Sequence, residues 1–312
     1  MKPEEIKNKR ILFSVLNWGM GHVARSISII HQLNKQNNSV IIACSELQKK
    51  IFLDYFPDIN YIQHNDYPFS FKGKGNFTLD LFLSFPSLNS RLKAEKKEVK
   101  HLIKKHHIDI CISDHRYGFH AEECTSIFIT HQLNLPLPFL FNFVNVLHHQ
   151  LIKKFNSVWV LDSENSSFAG KLSINKKFKN LCYIGIQSRF KLYSKIEKSI
   201  EKVVIISGPE PYAEQFFQSE INKAEHDREV VVIITPKDYS NSVKTNIIIQ
   251  LSNDWKKCDE IILKAKKIVS RSGYSTLMDL VYLACEKELI PTAGQYEQAY
   301  LLSYSNLKNV KK

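Results

Sequence analysis

"RILFSVLNWGMGHVARS", residues 10–26, is a β-branched apolar run followed by two glycines, a histidine and the start of a segment in which Val23, Ile27, Ile30 and Leu33 recur at helical spacing. That is the pattern of a strand, a tight turn and a helix. Gly19 and Gly21 permit backbone angles that a side chain forbids and let a ligand come close to the main chain. His22 follows at once, where a helix N-terminus lowers the proton affinity of an imidazole and leaves it available as a base or a hydrogen-bond donor. By spacing, Gly19, Gly21 and Ala24 also match a dinucleotide fingerprint, with Glu46 near the end of the next strand as ribose partner, so an NAD site is one alternative. Arg25 counts against it, being bulky where that fingerprint needs close helix packing.

Outward from this turn the strand–helix alternation repeats. Strands are predicted at 10–16, 39–44, 59–63, 108–114, 126–132 and 157–162, and a second series at 202–208, 229–235, 245–251, 260–273 and 287–293. Such alternation implies parallel sheets covered by helices on both faces. The expectation is an α/β chain of two Rossmann-like doubly wound domains, 1–187 and 188–312, facing a cleft, with "KLYSKIEKSIEK" as the polar linker. Ligands in such sheets bind beyond the carboxyl ends of the strands, so the loops after Leu16, Asp114, Ser207, Ser270 and Thr292 are where chemistry is sought.

Composition agrees with two cores. The 312 residues are 44% hydrophobic and 24% charged, which is ordinary for a globular protein. A net charge of +12 predicts a surface that attracts anions. Part of that charge lies in "RLKAEKKEVKHLIKKHH" (91–107), where Leu92, Val99, Leu102 and Ile103 predict an amphipathic helix with a basic outer face. The six cysteines have neither a C-x-x-C pair nor metal-ligand spacing and read as reduced thiols. The twelve histidines form no H-E-x-x-H grouping, so no metal site and no cofactor are expected. The N-terminal stretch has no leader-like apolar region and "LPLPFLFNFVNVL" (135–147) is too short to span a bilayer, which predicts a cytoplasmic protein whose membrane contact is peripheral. "YPFSFKGKGNFTLDLFLSFPSL" (67–88) interleaves aromatics with Lys72 and Lys74; exposed, it would dock an acyl or polyprenyl acceptor at an anionic surface, and buried it is a core helix. No nucleic-acid recognition module is visible.

The second half carries three further turns. "IISGPEPYAEQF" (205–216) puts Ser207 and Gly208 at a strand-to-helix turn whose amides could cradle phosphate. "VSRSGYSTLMDL" (269–280) offers Arg271, Ser272 and Gly273 in a turn, Ser275 and Thr276 at a helix start, and Asp279 one helical turn later, placed to accept from sugar hydroxyls. "PTAGQYEQAYL" (291–301) adds Gly294, Gln295, Glu297 and Gln298, polar groups suited to a hydroxyl-rich ligand. Taken singly, each has a helix cap as its plain alternative.

In order, "NWGMGHVARS", "ISDHRYG", "SGPEP", "SRSGYSTLMDL" and "PTAGQYEQAYL" resemble the motifs of nucleotide-sugar glycosyltransferases with two Rossmann-like domains (the GT-B type). The similarity is to family 28, which includes the UDP-N-acetylglucosamine transferase of peptidoglycan synthesis and the diacylglycerol galactosyltransferases. The resemblance implies that the C-terminal domain binds the nucleotide sugar, a UDP-sugar by that likeness, and that the N-terminal domain binds a lipid or glycan acceptor. It places Gly208, Ser272, Gly273 and Thr276 at the diphosphate, Asp279 at the ribose, Glu297 and Gln298 at the donor sugar, and His22 near the reacting centre. It implies metal-independent, inverting transfer. Asp114 is a candidate general base, with a structural helix cap as its alternative. Members of that family continue past the glutamine motif with a helix that packs back across the domains, whereas here "SNLKNVKK" follows soon after, so a short, inactive nucleotide-binding relative is a further alternative, alongside a nucleotide-sugar hydrolase.

Overall fold

β1 (Arg10–Val15) is buried from Ile11 onward and lies at the centre of a seven-stranded parallel sheet of order β3-β2-β1-β4-β5-β6-β7. The protein is seen here in a computed structural model that describes residues 1–69, 83–137, 142–175, 177–239 and 245–309. The other strands of this sheet are β2 (Ser39–Cys44), β3 (Asn60–Gln63), β4 (Ile110–Asp114), β5 (Thr125–Thr130), β6 (Ser157–Val160) and β7 (Leu181–Tyr183). Helices α1 (Gly21–Lys35), α2 (Glu46–Tyr55), α3 (Phe85–His106) and α4 (Asn142–Ile152) connect them. The central strands are unbroken apolar runs because helices cover both faces. α1 buries Val23, Ile27, Ile30 and Leu33 in the same core as Ile11, Phe13 and Val15.

The second sheet is also parallel, of order β10-β9-β8-β11-β12. It contains β8 (Ile200–Ile205), β9 (Val231–Thr235), β10 (Ile247–Leu251), β11 (Ala265–Arg271) and β12 (Glu286–Ile290). α5 (Tyr212–Ala224), α6 (Trp255–Leu263), α7 (Tyr274–Leu283) and α8 (Tyr296–Asn309) accompany it. In each sheet the strand order reverses once, between β1 and β4 in the first and between β8 and β11 in the second. Loops leaving such neighbouring strands diverge and open a crevice at the carboxyl edge.

Several expectations need amendment. The stretch 260–273 is not one strand. Its first part completes α6, which Asp254 caps by accepting from Lys257 N at 2.9 Å, because Cys258, Ile262 and Leu263 bury one helical face. β7 was not anticipated, being three residues long and paired with β6 alone. α3 begins earlier than 91, and its Lys93, Lys96, Lys97, Lys100, Lys104 and Lys105 are exposed as the amphipathic pattern required. Of the aromatic segment 67–88, residues 70–82 lie outside the described residues. Among the described residues no helix is long and apolar enough to cross a membrane.

The two sheets are not separated by a loose tether. Between β7 and β8 the chain packs: Ser188 Oγ donates to Asp279 at 2.5 Å, and Arg189 pairs with Asp259 and Asp279 at 2.7 Å each. Tyr274, Leu277, Met278 and Leu301 of the second unit share one apolar core with α1 and β1. α8 itself reaches back over the first unit, where Tyr300 Oη accepts from Lys171 N at 3.0 Å and Tyr304 Oη donates to the Ser166 carbonyl at 3.0 Å. The glutamine-motif helix thus contacts both units.

Candidate active site

The turn after β1 and the end of β4 meet because β1 and β4 are neighbours, in a register that sets Val15 opposite Asp114. His22, in the first turn of α1, points its Nδ1 at Asp114 Oδ1, 3.0 Å away. Asp114 is fully buried and also accepts from Arg25 Nε at 2.7 Å, from Arg25 Nη2 and from Ser26 Oγ at 3.4 Å. Burial alone would raise its pKa, but the Arg25 guanidinium and His22 outweigh it and hold the carboxyl far below the usual range. With its oxygens taken by Arg25, His22 and Ser26, and not itself among the residues lining the cavity, Asp114 is not placed to take a substrate's proton. It corrects the expectation of a general base: its position is that of the residue that orients His22 and neutralises Arg25.

His22 has the opposite bias. Burial and then the Arg25 charge lower its pKa, and Asp114 offsets this only in part, so the imidazole is neutral at pH 7. The ring lies 5.6 Å from that of His115, which burial also keeps neutral. His22 opens on a cavity of about 330 Å³. Its walls are mainly apolar: Leu16, Trp18 and Tyr67, Leu88 and Leu92 of α3, Tyr117, Leu135 to Leu137, and Val144, Leu147 and Leu151 of α4. The far wall is the motif of the other unit, Gly294, Gln295, Tyr296 and Glu297. A neutral base at the mouth of an apolar cavity between two units suits deprotonation of a hydroxyl.

The remaining expected residues divide into two groups. Glu297 reaches the site, with its Oε1 2.8 Å from His131 Nε2; burial would raise its pKa, but His131 and Arg25 prevail and lower it. Gly21 and Ser275 touch across the crevice, and Gln295 lines the cavity. Gly19 is exposed, with φ +120°. Ser207 and Gly208, the latter exposed, precede α5, whose first turn is already engaged by Pro209 and Glu210, and Gly273 and Thr276 open α7, whose N-cap Gly273 has no side chain to cap it.

Others turn inward. Arg271 is buried over the Phe216 ring and donates to the carbonyls of Pro291 (3.1 Å) and Tyr212 (2.9 Å), tying the three turns together instead of facing a ligand. Ser272 Oγ donates to the Gln298 carbonyl at 3.1 Å. The Gln298 side chain accepts from Thr292 N at 2.8 Å and donates to Gln295 Oε1 at 2.5 Å, closing its own loop. Asp279 has both oxygens taken, one by Ser188 and one by Arg189, on the face of α7 turned toward the segment between the sheets. Arg271, Ser272 and Gln298 share one cause, that a polar side chain at a strand-to-helix turn satisfies the turn's backbone first, whereas Asp279 is taken by side chains of the segment between the sheets. Glu46, the ribose partner of the NAD alternative, is exposed at the start of α2 beside Lys49, and Ser275 fills the space at Gly21 that a pyrophosphate would need.

His131 was not anticipated. It lies just after β5, stacked on Tyr274 of the other unit at 4.1 Å between ring centroids and 4° between planes, with Arg25 Nη1 3.1 Å from its Nδ1. The signal available was its place at the carboxyl end of a predicted strand, two strands from His22.

No family model matches the chain, and no curated protein matches it. Solved structures do. The glycotransferase of kitacinnamycin superposes with a TM-score of 0.66 at 11% identity, over 97% of this chain and 85% of that one. A spinosyn rhamnosyltransferase complexed with thymidine diphosphate gives 0.63 at 12% identity, over 95% and 85%. MurG of Acinetobacter baumannii gives 0.52 at 12% identity, over 95% and 83%. The fold is GT-B.

Proposed function

We propose that this protein is a metal-independent glycosyltransferase that moves a sugar from a nucleotide-diphosphate donor to the hydroxyl of an apolar acceptor. One observation carries it: His22, held by the buried Asp114, lines an apolar cavity whose opposite wall belongs to the second unit. The GT-B fold, and the thymidine diphosphate bound to one of its structural neighbours, support the same reading.

In this mechanism the acceptor hydroxyl gives its proton to His22 Nε2 as its oxygen attacks the anomeric carbon. The imidazolium that forms is stabilised by Asp114 through Nδ1–H. The bond from the sugar to the diphosphate breaks, and the charge released is met by the amides at the start of α7. Thr292 Oγ1, buried beside Gly208 and without a partner among the described residues, marks the floor of the same turn. A single displacement inverts the anomeric centre. Division of labour follows the sheets: acceptor on residues 1–187, donor on 188–312.

A lipid acceptor fits the rim. Leu83, Phe143 and Val146 are more than half exposed on the helices, or just before them, whose Leu88, Val144 and Leu147 line the cavity. Such a rim would seat against an anionic membrane from the cytoplasmic side, and sedimentation with phosphatidylglycerol vesicles tests it.

The function is tested by thermal shift with UDP, GDP, dTDP and NAD, followed by turnover assays with the nucleotide sugar whose diphosphate stabilises the chain. One nucleoside diphosphate is expected to bind, and His22→Gln is expected to keep that binding while turnover falls about 10²- to 10⁴-fold. Stabilisation by NAD, or full turnover in His22→Gln, would overturn the reading.

A further inference from the structure

Two hydrogen bonds compete for one atom of the site. His22 Nδ1 lies 3.0 Å from Asp114 Oδ1 and 2.8 Å from Arg25 Nη2. A carboxylate only accepts and a guanidinium only donates, so these contacts require opposite tautomers. Donation to Asp114 puts the proton on Nδ1 and leaves the Nε2 lone pair for a substrate hydroxyl. Acceptance from Arg25 puts the proton on Nε2, and the ring is then no base toward the cavity. The lean of the Arg25 guanidinium therefore sets which form His22 takes.

Asp114 holds Arg25 through Nε and Nη2, and His131 holds its remaining Nη1 group. The Nη1 group of Arg25 meets His131 Nδ1 at 3.1 Å, so Nδ1 must be the unprotonated nitrogen. Nε2 then carries the proton and donates to Glu297 Oε1 at 2.8 Å. One partner comes from α1 of the first unit and the other from α8 of the second, and Tyr274 of α7 stacks on the ring. The charged and titratable groups around His22 are Arg25 on α1, Asp114 and His115 at the end of β4, His131 after β5 and, beyond His131, Glu297 on α8.

We propose that His131 is a positioning residue: braced by Glu297, it keeps Arg25 on Asp114 and so holds His22 in the Nδ1–H tautomer, making the base competent only when the second unit is docked. With His131 or its brace removed, Arg25 Nη2, already 2.8 Å from His22 Nδ1, turns its donation from Asp114 to His22, and the proton moves to Nε2. The cavity-lining carboxylate on the donor side thereby sets the acceptor-side base. The inference rests on the proposed role of His22, but its consequence for the ring is readable without turnover.

The test is long-range ¹H–¹⁵N correlation of the histidine side chains in the full chain at neutral pH, with the His22 signals assigned by their loss in His22→Gln. In the native protein His22 is expected as Nδ1–H. In His131→Phe, which keeps a ring on Tyr274, and in Glu297→Ala, the Nε2–H form is expected to become the majority. Glu297→Gln, whose amide oxygen still accepts from His131, is expected to restore the native tautomer. Glu297 is 30% exposed, so its variants remain informative if His131→Phe fails to fold. An Nδ1–H tautomer unchanged in Glu297→Ala, or an Nε2–H tautomer already dominant in the native chain, would overturn the inference. Absence of sugar transfer with every donor, alongside the expected tautomer change, would instead sink the proposed function and leave this coupling standing.

Discussion

Ser275 Oγ donates to the Gly21 carbonyl at 2.9 Å, so the glycine turn of the first sheet rests directly on the α7 start of the second. A Cβ added at Gly21 would stand 2.8 Å from Ser275 Oγ and 3.2 Å from Ser275 Cβ. Gly21→Ala is therefore expected to prise this contact and lower stability by about 1–3 kcal/mol, as overpacking does. Because the overlap is chiefly with the hydroxyl, Ser275→Ala in the same chain is expected to recover more than half of the loss. Thermal unfolding of the two single variants and the double variant measures the coupling; additive effects would show that the units do not touch here.

Asp114→Asn leaves Arg25 buried without its anion. Breaking a buried pair in this way is expected to lower stability by about 3–5 kcal/mol in urea unfolding at pH 7. The sign of its pH dependence follows from the depressed folded-state pKa of Asp114. Its stabilising contribution is present in full above the unfolded carboxyl value of about 3.9 and is lost as pH falls toward the folded one. The gap between native protein and Asp114→Asn should hold steady from pH 7 to 5 and then narrow by about 1.4 kcal/mol per pH unit below about 4. A gap that widens on acidification would contradict the assignment of Arg25 as the partner.

Arg189 joins the segment between the sheets to α6 and α7 through Asp259 and Asp279, and Asp259 also accepts from Tyr55 Oη of α2 at 2.6 Å and from Tyr193 Oη at 2.9 Å. Arg189→Met would bury two carboxylates with no cation between them. A loss of about 3–5 kcal/mol is expected, and the first unit should become more open to proteolysis at the α2 contact. Asp279→Asn added to Arg189→Met should return part of that loss, since burial already pushes the Asp279 carboxyl up toward its neutral form. Limited proteolysis and thermal unfolding decide this, and full stability in Arg189→Met would refute it.

How far the sequence disclosed this site depends on what each residue satisfies. Periodicity located eleven of the strand positions in outline because buried parallel strands are unbroken apolar runs, and His22 and Asp114 were legible because the carboxyl ends of neighbouring strands converge. Direction was not legible. Whether Arg271, Gln298 or Asp279 faces a ligand or its own chain depends on contacts 3 to 91 positions away, such as Gln298 with Gln295 and Asp279 with Ser188. The role of His131 was not legible beyond its place at a strand end, for the same reason: its partners Arg25 and Glu297 are 106 and 166 positions distant, the first met within one sheet layer and the second only across the two units.

Gly170 tests that docking from the side opposite His22. It holds φ +56°, and an added Cβ would overlap Tyr300 Oη and stand 2.9 Å from the Tyr304 ring on α8. Both tyrosines anchor α8 to the first unit, through Lys171 N and the Ser166 carbonyl. Gly170→Ala therefore combines a backbone conformation unfavourable to a side chain with a displaced helix, and a loss of about 2–4 kcal/mol is expected. Since Glu297 is in the first turn of the same helix, the displacement should also be felt at His131. Tyr304→Ala and Tyr300→Ala combined with Gly170→Ala should relieve the overlap but not the unfavourable φ, so only part of the stability should return. Complete recovery would mean that sterics alone fix this glycine, and no recovery would mean that α8 does not bear on it.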